Sequence, residues 1–176
     1  MQFLRKIFYI MLIPFLLTTV FVHAADTKTQ GVKKIDLNTT DGEIIEINVT
    51  KKSFIFDKYK GKAVLLDFFG PMCPPCLLEI PHLTKMQKEN KEKFQIIGIQ
   101  VQMQMTNKEL NDFKKEHGIN YPVVNLDYAW DIVTFIKAHT GWGGQIPYML
   151  LFDKDGNFKK QYIGMTPNED ILQYVK

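Results

Sequence analysis

The chain has 176 residues, 45% of them hydrophobic and 23% charged, with 22 basic side chains against 19 acidic. This is one domain's length with an ordinary globular composition, and a formal charge of +3 is too mild for a nucleic-acid binder. Arg5 and Lys6 belong to the leader, which brings 22 basic residues to 20 against 19 acidic and leaves the remainder near neutral.

Residues 1–24 read as a secretion signal. Arg5-Lys6 is the positive n-region, Ile7 to Val22 the apolar h-region, and Val22-His23-Ala24 places small residues where a signal peptidase reads them. Left uncleaved, the same run is nearly long enough to be a membrane anchor. No cysteine stands directly after the h-region, which excludes a lipoprotein. Residues 25–176 form the working domain, expected outside the cytosol, where disulfides form and persist.

After a polar stretch, Lys33 to Asn38 and Glu43 to Val49 alternate with period two around Thr40-Asp41-Gly42, a predicted β-hairpin. A short Phe54–Phe56 segment and a Lys60-Gly61-Lys62 turn lead to an apolar strand from about Ala63. A helix is expected from near Pro75, since proline favours the first helical position and the residue before a proline is pushed out of the α region. Pro81 lies inside it and predicts a kink. Phe94 to Val101 reads as a central strand.

Thr106-Asn107-Lys108-Glu109 is a capping box opening a helix that Gly118 stops. Tyr121 to Val124 reads as a short edge strand. Asp127 to Ala138 is a further helix, with Trp130, Val133 and Ile136 at helical spacing, broken by Gly141-Trp142-Gly143-Gly144. Pro147 to Phe152, an Asp153 to Gly156 turn and Phe158 to Ile163 form a second hairpin. Thr166-Pro167-Asn168-Glu169 is a second capping box before the last helix. The order gives an α/β fold with a mixed sheet.

Cys73-Pro74-Pro75-Cys76, between the Ala63 strand and the next helix, holds the chain's two cysteines. A C-x-x-C pair at such a turn is a redox signature; a zinc half-site and an inert structural disulfide are the alternatives. Zinc would need further Cys or His ligands at matching spacing, and a loop this short gains little from a static disulfide. Cys73, ahead of the helix, is the expected nucleophile, more exposed and nearer the positive end of the helix dipole. Cys76 is the resolving thiol. Asp67, an acid in an apolar strand, is the candidate proton acceptor for Cys76, against a reading as a solvent-facing strand end. Met103 and Met105 read as filler or surface rather than copper ligands.

Leu66-Asp67-Phe68-Phe69, Cys73-Pro74-Pro75-Cys76 and Pro81 together resemble the thioredoxin superfamily, as does Gln145-Ile146-Pro147-Tyr148. The run from Cys73 to Leu83 is similar to exported TlpA/ResA/DsbE(CcmG)-type thiol–disulfide oxidoreductases. The resemblance implies a thioredoxin-like fold with an added N-terminal β-hairpin and a cis-proline at Pro147 beside the cysteines. It also implies a role for Glu79 near them and an Ile146 backbone that receives an extended substrate peptide. Glu79 otherwise reads as an exposed first-turn acid. Trp142 reads either as a contact on the substrate groove or as a satellite core residue. Met72 and Phe69 stand where many relatives carry tryptophan, and Asp67 where TlpA/ResA-type relatives often carry asparagine.

The expected function is a periplasmic reductase of disulfides in exported proteins, with no cofactor beyond the Cys73–Cys76 pair and no metal. The resemblance implies apocytochrome c as client and a membrane thiol donor of CcdA/DsbD type as electron source. An oxidase or isomerase of exported proteins, or a redox-switched binding or chaperone module, are the rival readings. The direction rests on the Pro-Pro spacer, which offers a Cys73 thiolate neither a backbone N–H nor a cation.

Overall fold

The computed structural model describes residues 32–50 and 53–175. The secretion signal expected at residues 1–24 lies outside the described residues. Among the described residues no helix is long and apolar enough to cross a membrane.

The chain forms two sheets. β1 (Lys33–Asn38), β2 (Ile44–Val49) and β3 (Phe54–Phe56) make an antiparallel three-stranded sheet. The hairpin is the one the alternation predicts: Ile35 pairs with Ile47 and Leu37 with Ile45, and all four are buried. The outward Lys34 ammonium meets Glu46 at 2.6 Å. The second sheet has the order β6-β5-β4-β7-β8. In it β4 (Ala63–Phe69), β5 (Phe94–Gln100) and β6 (Val123–Val124) run parallel, while β7 (Tyr148–Phe152) and β8 (Phe158–Ile163) run antiparallel. All seven residues of β4 are buried, as expected of a strand covered on both faces.

Each face of this sheet carries its own core. On one, Val64, Leu66, Phe68, Leu150 and Phe152 pack against the three-stranded sheet and α3 (Trp130–Thr140). On the other, Leu65, Phe69, Ile96, Met149 and Leu151 pack against α1 (Pro74–Asn90), α2 (Asn107–Glu116) and α4 (Asn168–Leu172), and the cysteines belong to this side. The small sheet is tied to both ends of the large one. Thr40 donates its N–H to the Val123 carbonyl at 2.9 Å, and Phe54 donates to the Gly156 carbonyl at 2.7 Å.

Four expectations change. α1 begins at Pro74, one residue early, with Pro74 and Pro75 both inside its first turn. The first capping box forms fully, Thr106 with Glu109. The second does not: α4 is preceded by Pro167 with no side-chain cap, because Thr166 makes its bonds elsewhere. The segment after Asp127 splits into a 3-10 turn (Leu126–Tyr128) and α3, whose buried face is Ile132, Val133 and Ile136. Trp130, read as part of that face, is 60% exposed instead. Gly141 ends α3 at φ +71°, the left-handed conformation glycine adopts without strain.

Because β4, β5 and β6 are parallel, their C-terminal ends share one edge of the sheet with the start of β7 and the end of β8. The Cys73–Cys76 turn lies on this edge, where loops are free to present side chains to a ligand.

Candidate active site

The strand-to-helix turn fixes the cysteines. Cys73 is the N-cap of α1, in extended conformation, and its N–H donates to the Gly70 carbonyl at 3.2 Å. The first turn of a helix normally offers several free amides to an N-cap side chain. Here the first two positions are prolines, so the Cys76 N–H is the donor left to reach Cys73 Sγ, at 3.3 Å. Cys73 and Cys76 are joined by a disulfide with their Cα atoms 5.2 Å apart. Cys73 is the more exposed of the two, as expected, but narrowly, at 5% against 2% for Cys76, so both residues are buried. Leu77, Met105 and Ile146 are partly buried against the hydrophobic core to which both cysteines belong.

Two acids lie behind the pair. Asp67 is 2% exposed and alternates with Leu65 and Phe69, so it faces the cysteine-side core rather than solvent. Burial, with a further push from the Glu79 charge, holds its carboxyl well above the usual carboxylate range. Glu79 is 3% exposed, which removes its reading as an exposed first-turn acid. Its Oε1 accepts the Thr166 N–H at 2.9 Å, and its Oε2 is buried with no hydrogen-bond partner among the described residues. Burial pushes the Glu79 carboxyl up to about 7, with the Thr166 N–H acting against the rise. This bond, spanning 87 residues, is where the expected Thr166 cap went.

The wall opposite is the Ile146-Pro147 peptide, which is cis. The Pro147 carbonyl accepts the Gly164 N–H at 2.9 Å, joining this loop to the end of β8. Ile146 is half-buried and touches both cores. Trp142 belongs to the core and not to the groove surface. It is 4% exposed, stacked on Tyr148 at 5.0 Å between ring centroids, against Phe68 at 4.8 Å. Its indole N–H donates to the Gln145 carbonyl at 2.7 Å. Trp142 therefore braces the Ile146-Pro147 loop from inside.

Three amide side chains that sequence reading did not single out shape the rim. Gln102 Oε1 accepts the Met72 N–H at 2.7 Å, fixing the residue before Cys73. Gly70 makes room for it, since a Cβ there would lie 2.4 Å from that same Oε1. Gln100, fully buried, accepts the N–H groups of Gln102 and Met103. Asn125 donates to the Met105 carbonyl at 2.5 Å. A glutamine at the buried end of a hydrophobic strand is the one signal that could have marked this clasp. Met105 packs on the cysteine-side core and Met103 is exposed, so they do not face a common site. Met72, Met103 and Met165 are exposed, on backbone that Gln102, Gln100 and the Glu79–Thr166 bond tie to the region of the turn. Among the described residues no group of three or more His, Cys, Asp or Glu could hold a metal ion.

A buried dithiol/disulfide with two carboxyls behind it and a cis-proline loop beside it is fitted for thiol–disulfide exchange. The family profile described as AhpC/TSA matches residues 24–173. The chain belongs to the AhpC/TSA family. Among this member's relatives is the thiol-disulfide oxidoreductase ResA of Bacillus thuringiensis (strain Al Hakam), 28% identical over 145 residues, covering 82% of this chain and 79% of the relative. The thioredoxin-family thiol:disulfide interchange protein of Chlorobium tepidum TLS superposes with a TM-score of 0.64 at 28% identity, over 86% of this chain and 97% of that one. StoA from Bacillus subtilis shares the fold, with a TM-score of 0.60 at 19% identity, over 84% of this chain and 99% of its own. This AhpC/TSA member is thus a thiol–disulfide oxidoreductase with a thioredoxin-like fold and an added N-terminal sheet.

Proposed function

We propose that this oxidoreductase acts outside the cytosol as a reductase of disulfides in exported proteins, through Cys73 and Cys76. The observation that carries the direction is the poverty of donors around Cys73 Sγ. Among the described residues one amide reaches it, the two helix positions before that amide are prolines, and the titratable groups behind are acids, with no cation among them. A thiolate so placed is weakly stabilised, which makes the dithiol form the better reductant.

In the reaction, the Cys73 thiolate attacks one sulfur of the client disulfide. A mixed disulfide forms and the other client sulfur leaves as a thiolate, taking up a proton. Cys76 then gives its proton to the Asp67 carboxylate, and its sulfur attacks Cys73 Sγ. The Cys73–Cys76 bond closes and the second client sulfur departs, to be protonated in turn. Two electrons and two protons pass to the client. The raised carboxyl of Asp67 narrows the gap between acceptor and thiol, which favours this transfer.

Ile146 and the exposed Met72, Met103 and Met165 form an apolar border suited to an extended peptide laid beside the cis-proline. The leader, and the likeness to TlpA/ResA/DsbE-type proteins, support an exported client, with apocytochrome c first. They also support a membrane donor of CcdA/DsbD type to return electrons. The midpoint potential tests the direction. The reading requires a value near or below the roughly −270 mV of thioredoxin, and one near the roughly −120 mV of strong oxidants refutes it in favour of a disulfide oxidase. A Cys76→Ala variant expressed in the cell should retain clients as mixed disulfides on Cys73. Recovery of none would point instead to a redox-switched binding module.

A further inference from the structure

Asp67 has an unusual neighbour. Its cross-strand partner on β5 is Gly98, which has no side chain to set beside the carboxyl. A Cβ at Gly98 would come within 3.2 Å of the Phe69 ring, the Tyr121 ring and Val123. The space next to Asp67 is therefore filled from the loop after α2, by Tyr121. Bonds on both sides hold that loop: Asn120 donates its side-chain amide to the Thr84 carbonyl of α1 at 3.0 Å, and the Pro122 carbonyl accepts the Gly98 N–H at 2.9 Å. Tyr121 is 3% exposed, yet its hydroxyl has no hydrogen-bond partner among the described residues. Glu79 Oε2 and Thr84 Oγ1, both on α1, are buried and unpartnered in the same way. Phenylalanine would fill the space equally well without a stranded hydroxyl, and buried groups of this kind are ordinarily satisfied by ordered water.

The titratable groups that face the phenol are Asp67 from β4 and Glu79 from α1. β5 contributes only Gly98. Burial and these two carboxyls hold the hydroxyl well above its ordinary range, so it stays a donor throughout the working pH. We propose that Tyr121 is a positioning residue of the resolving half-reaction. Its hydroxyl, with Glu79 Oε2, holds an internal water that donates to the Asp67 carboxylate as it forms and aims it at Cys76. The inference rests on Asp67 as the proton acceptor. The step it assists is the one in which the Cys76 S–H passes its proton to Asp67, the Cys76–Cys73 bond forms and the Cys73–client bond breaks.

The test is Tyr121→Phe, which removes one oxygen and keeps the ring over Gly98. Reduced protein is mixed with oxidised glutathione and quenched with acid. The glutathione adduct and the closed disulfide are then counted by mass spectrometry from mildly acidic to alkaline pH. Loss of the donor should raise the pH at which closure becomes fast by about one unit, making closure about tenfold slower on the acid side while the alkaline plateau is retained. NMR titration of the Asp67 carboxyl in the oxidised protein reads the same displacement without turnover. An unmoved profile, or a rate lowered equally at every pH, overturns the proposal. Asp67→Asn separates the two claims. If it abolishes the acid limb while Tyr121→Phe leaves it in place, only the role of Tyr121 falls. If it leaves the limb in place, both fall.

Discussion

Glu79→Gln isolates the energetic cost of a buried carboxyl at this site. Glutamine keeps an oxygen to accept the Thr166 N–H at the 2.9 Å now seen, puts an NH2 in place of Oε2, and removes the ability to ionise. The Glu79 carboxyl rises from an ordinary 4.5 to about 7 on folding, chiefly through burial. At about 1.4 kcal/mol per pH unit this is roughly 3 kcal/mol, and solvent screening lowers the usable figure to about 2 kcal/mol. The sign follows from linkage. Below pH 4.5 the group is protonated folded and unfolded alike, and it contributes nothing. Between 4.5 and 7 the unfolded chain ionises first, so stability falls as pH rises. Above 7 the full penalty is present. The variant should therefore match the parent in acid and exceed it by about 2 kcal/mol at alkaline pH, or about 4–8 °C in melting temperature. Urea unfolding of the oxidised proteins across this range measures it. A constant offset between the amide and the protonated acid is immaterial, because the pH dependence of the difference carries the argument. A difference that does not change with pH would refute the claim that Glu79 is held neutral by burial.

Other consequences are open to simple measurement. Trp142→Ala should cost about 3–5 kcal/mol in urea unfolding, since the indole is stacked in the core, whereas a groove-surface residue would cost almost nothing. Gly156→Ala should destabilise by about 2–5 kcal/mol, because its φ is +77° and a Cβ would meet the Phe54 carbonyl oxygen at 2.3 Å; unchanged stability would show that the link between the two sheets is slack. Gln102→Ala should release the Met72 amide, seen as lost hydrogen-exchange protection at that residue, at a cost to global stability of only about 0.5–1.5 kcal/mol.

Much of this molecule was legible from the order of its residues because the deciding forces are local. The alternation from Lys33 to Val49 and the Thr106-to-Glu109 box each specify their geometry within a few residues, and the structure follows them. The misreadings are of residues whose fate is set across the chain. Thr166 looked like a cap, but a carboxylate 87 residues away takes its N–H. Trp142 sits among glycines, as a surface residue would, yet Phe68 and Tyr148 from two adjacent strands close over it. Trp130 had the spacing of a core residue, but the helix starts at that position and its buried face is turned to Ile132 and Val133. Asp67 was recognisable as a buried acid from its apolar flanks. That Tyr121 lies beside it depends on a glycine in the neighbouring strand, which has meaning only once the strands are paired.

The clasps around the cysteine turn address the main chain. Gln102 holds the amide of Met72, Gln100 the amides of Gln102 and Met103, Asn125 the carbonyl of Met105, and Glu79 the amide beside Met165. None of these contacts depends on what side chain Met72, Met103 or Met165 carries. Frame and exposed surface are thus separable: replacing Met72, Met103 or Met165 leaves these main-chain contacts and the cysteine turn in place, and on the proposed reading would retune which peptides the rim accepts. A combinatorial library confined to positions 72, 103 and 165 would explore client preference on an unchanged redox centre.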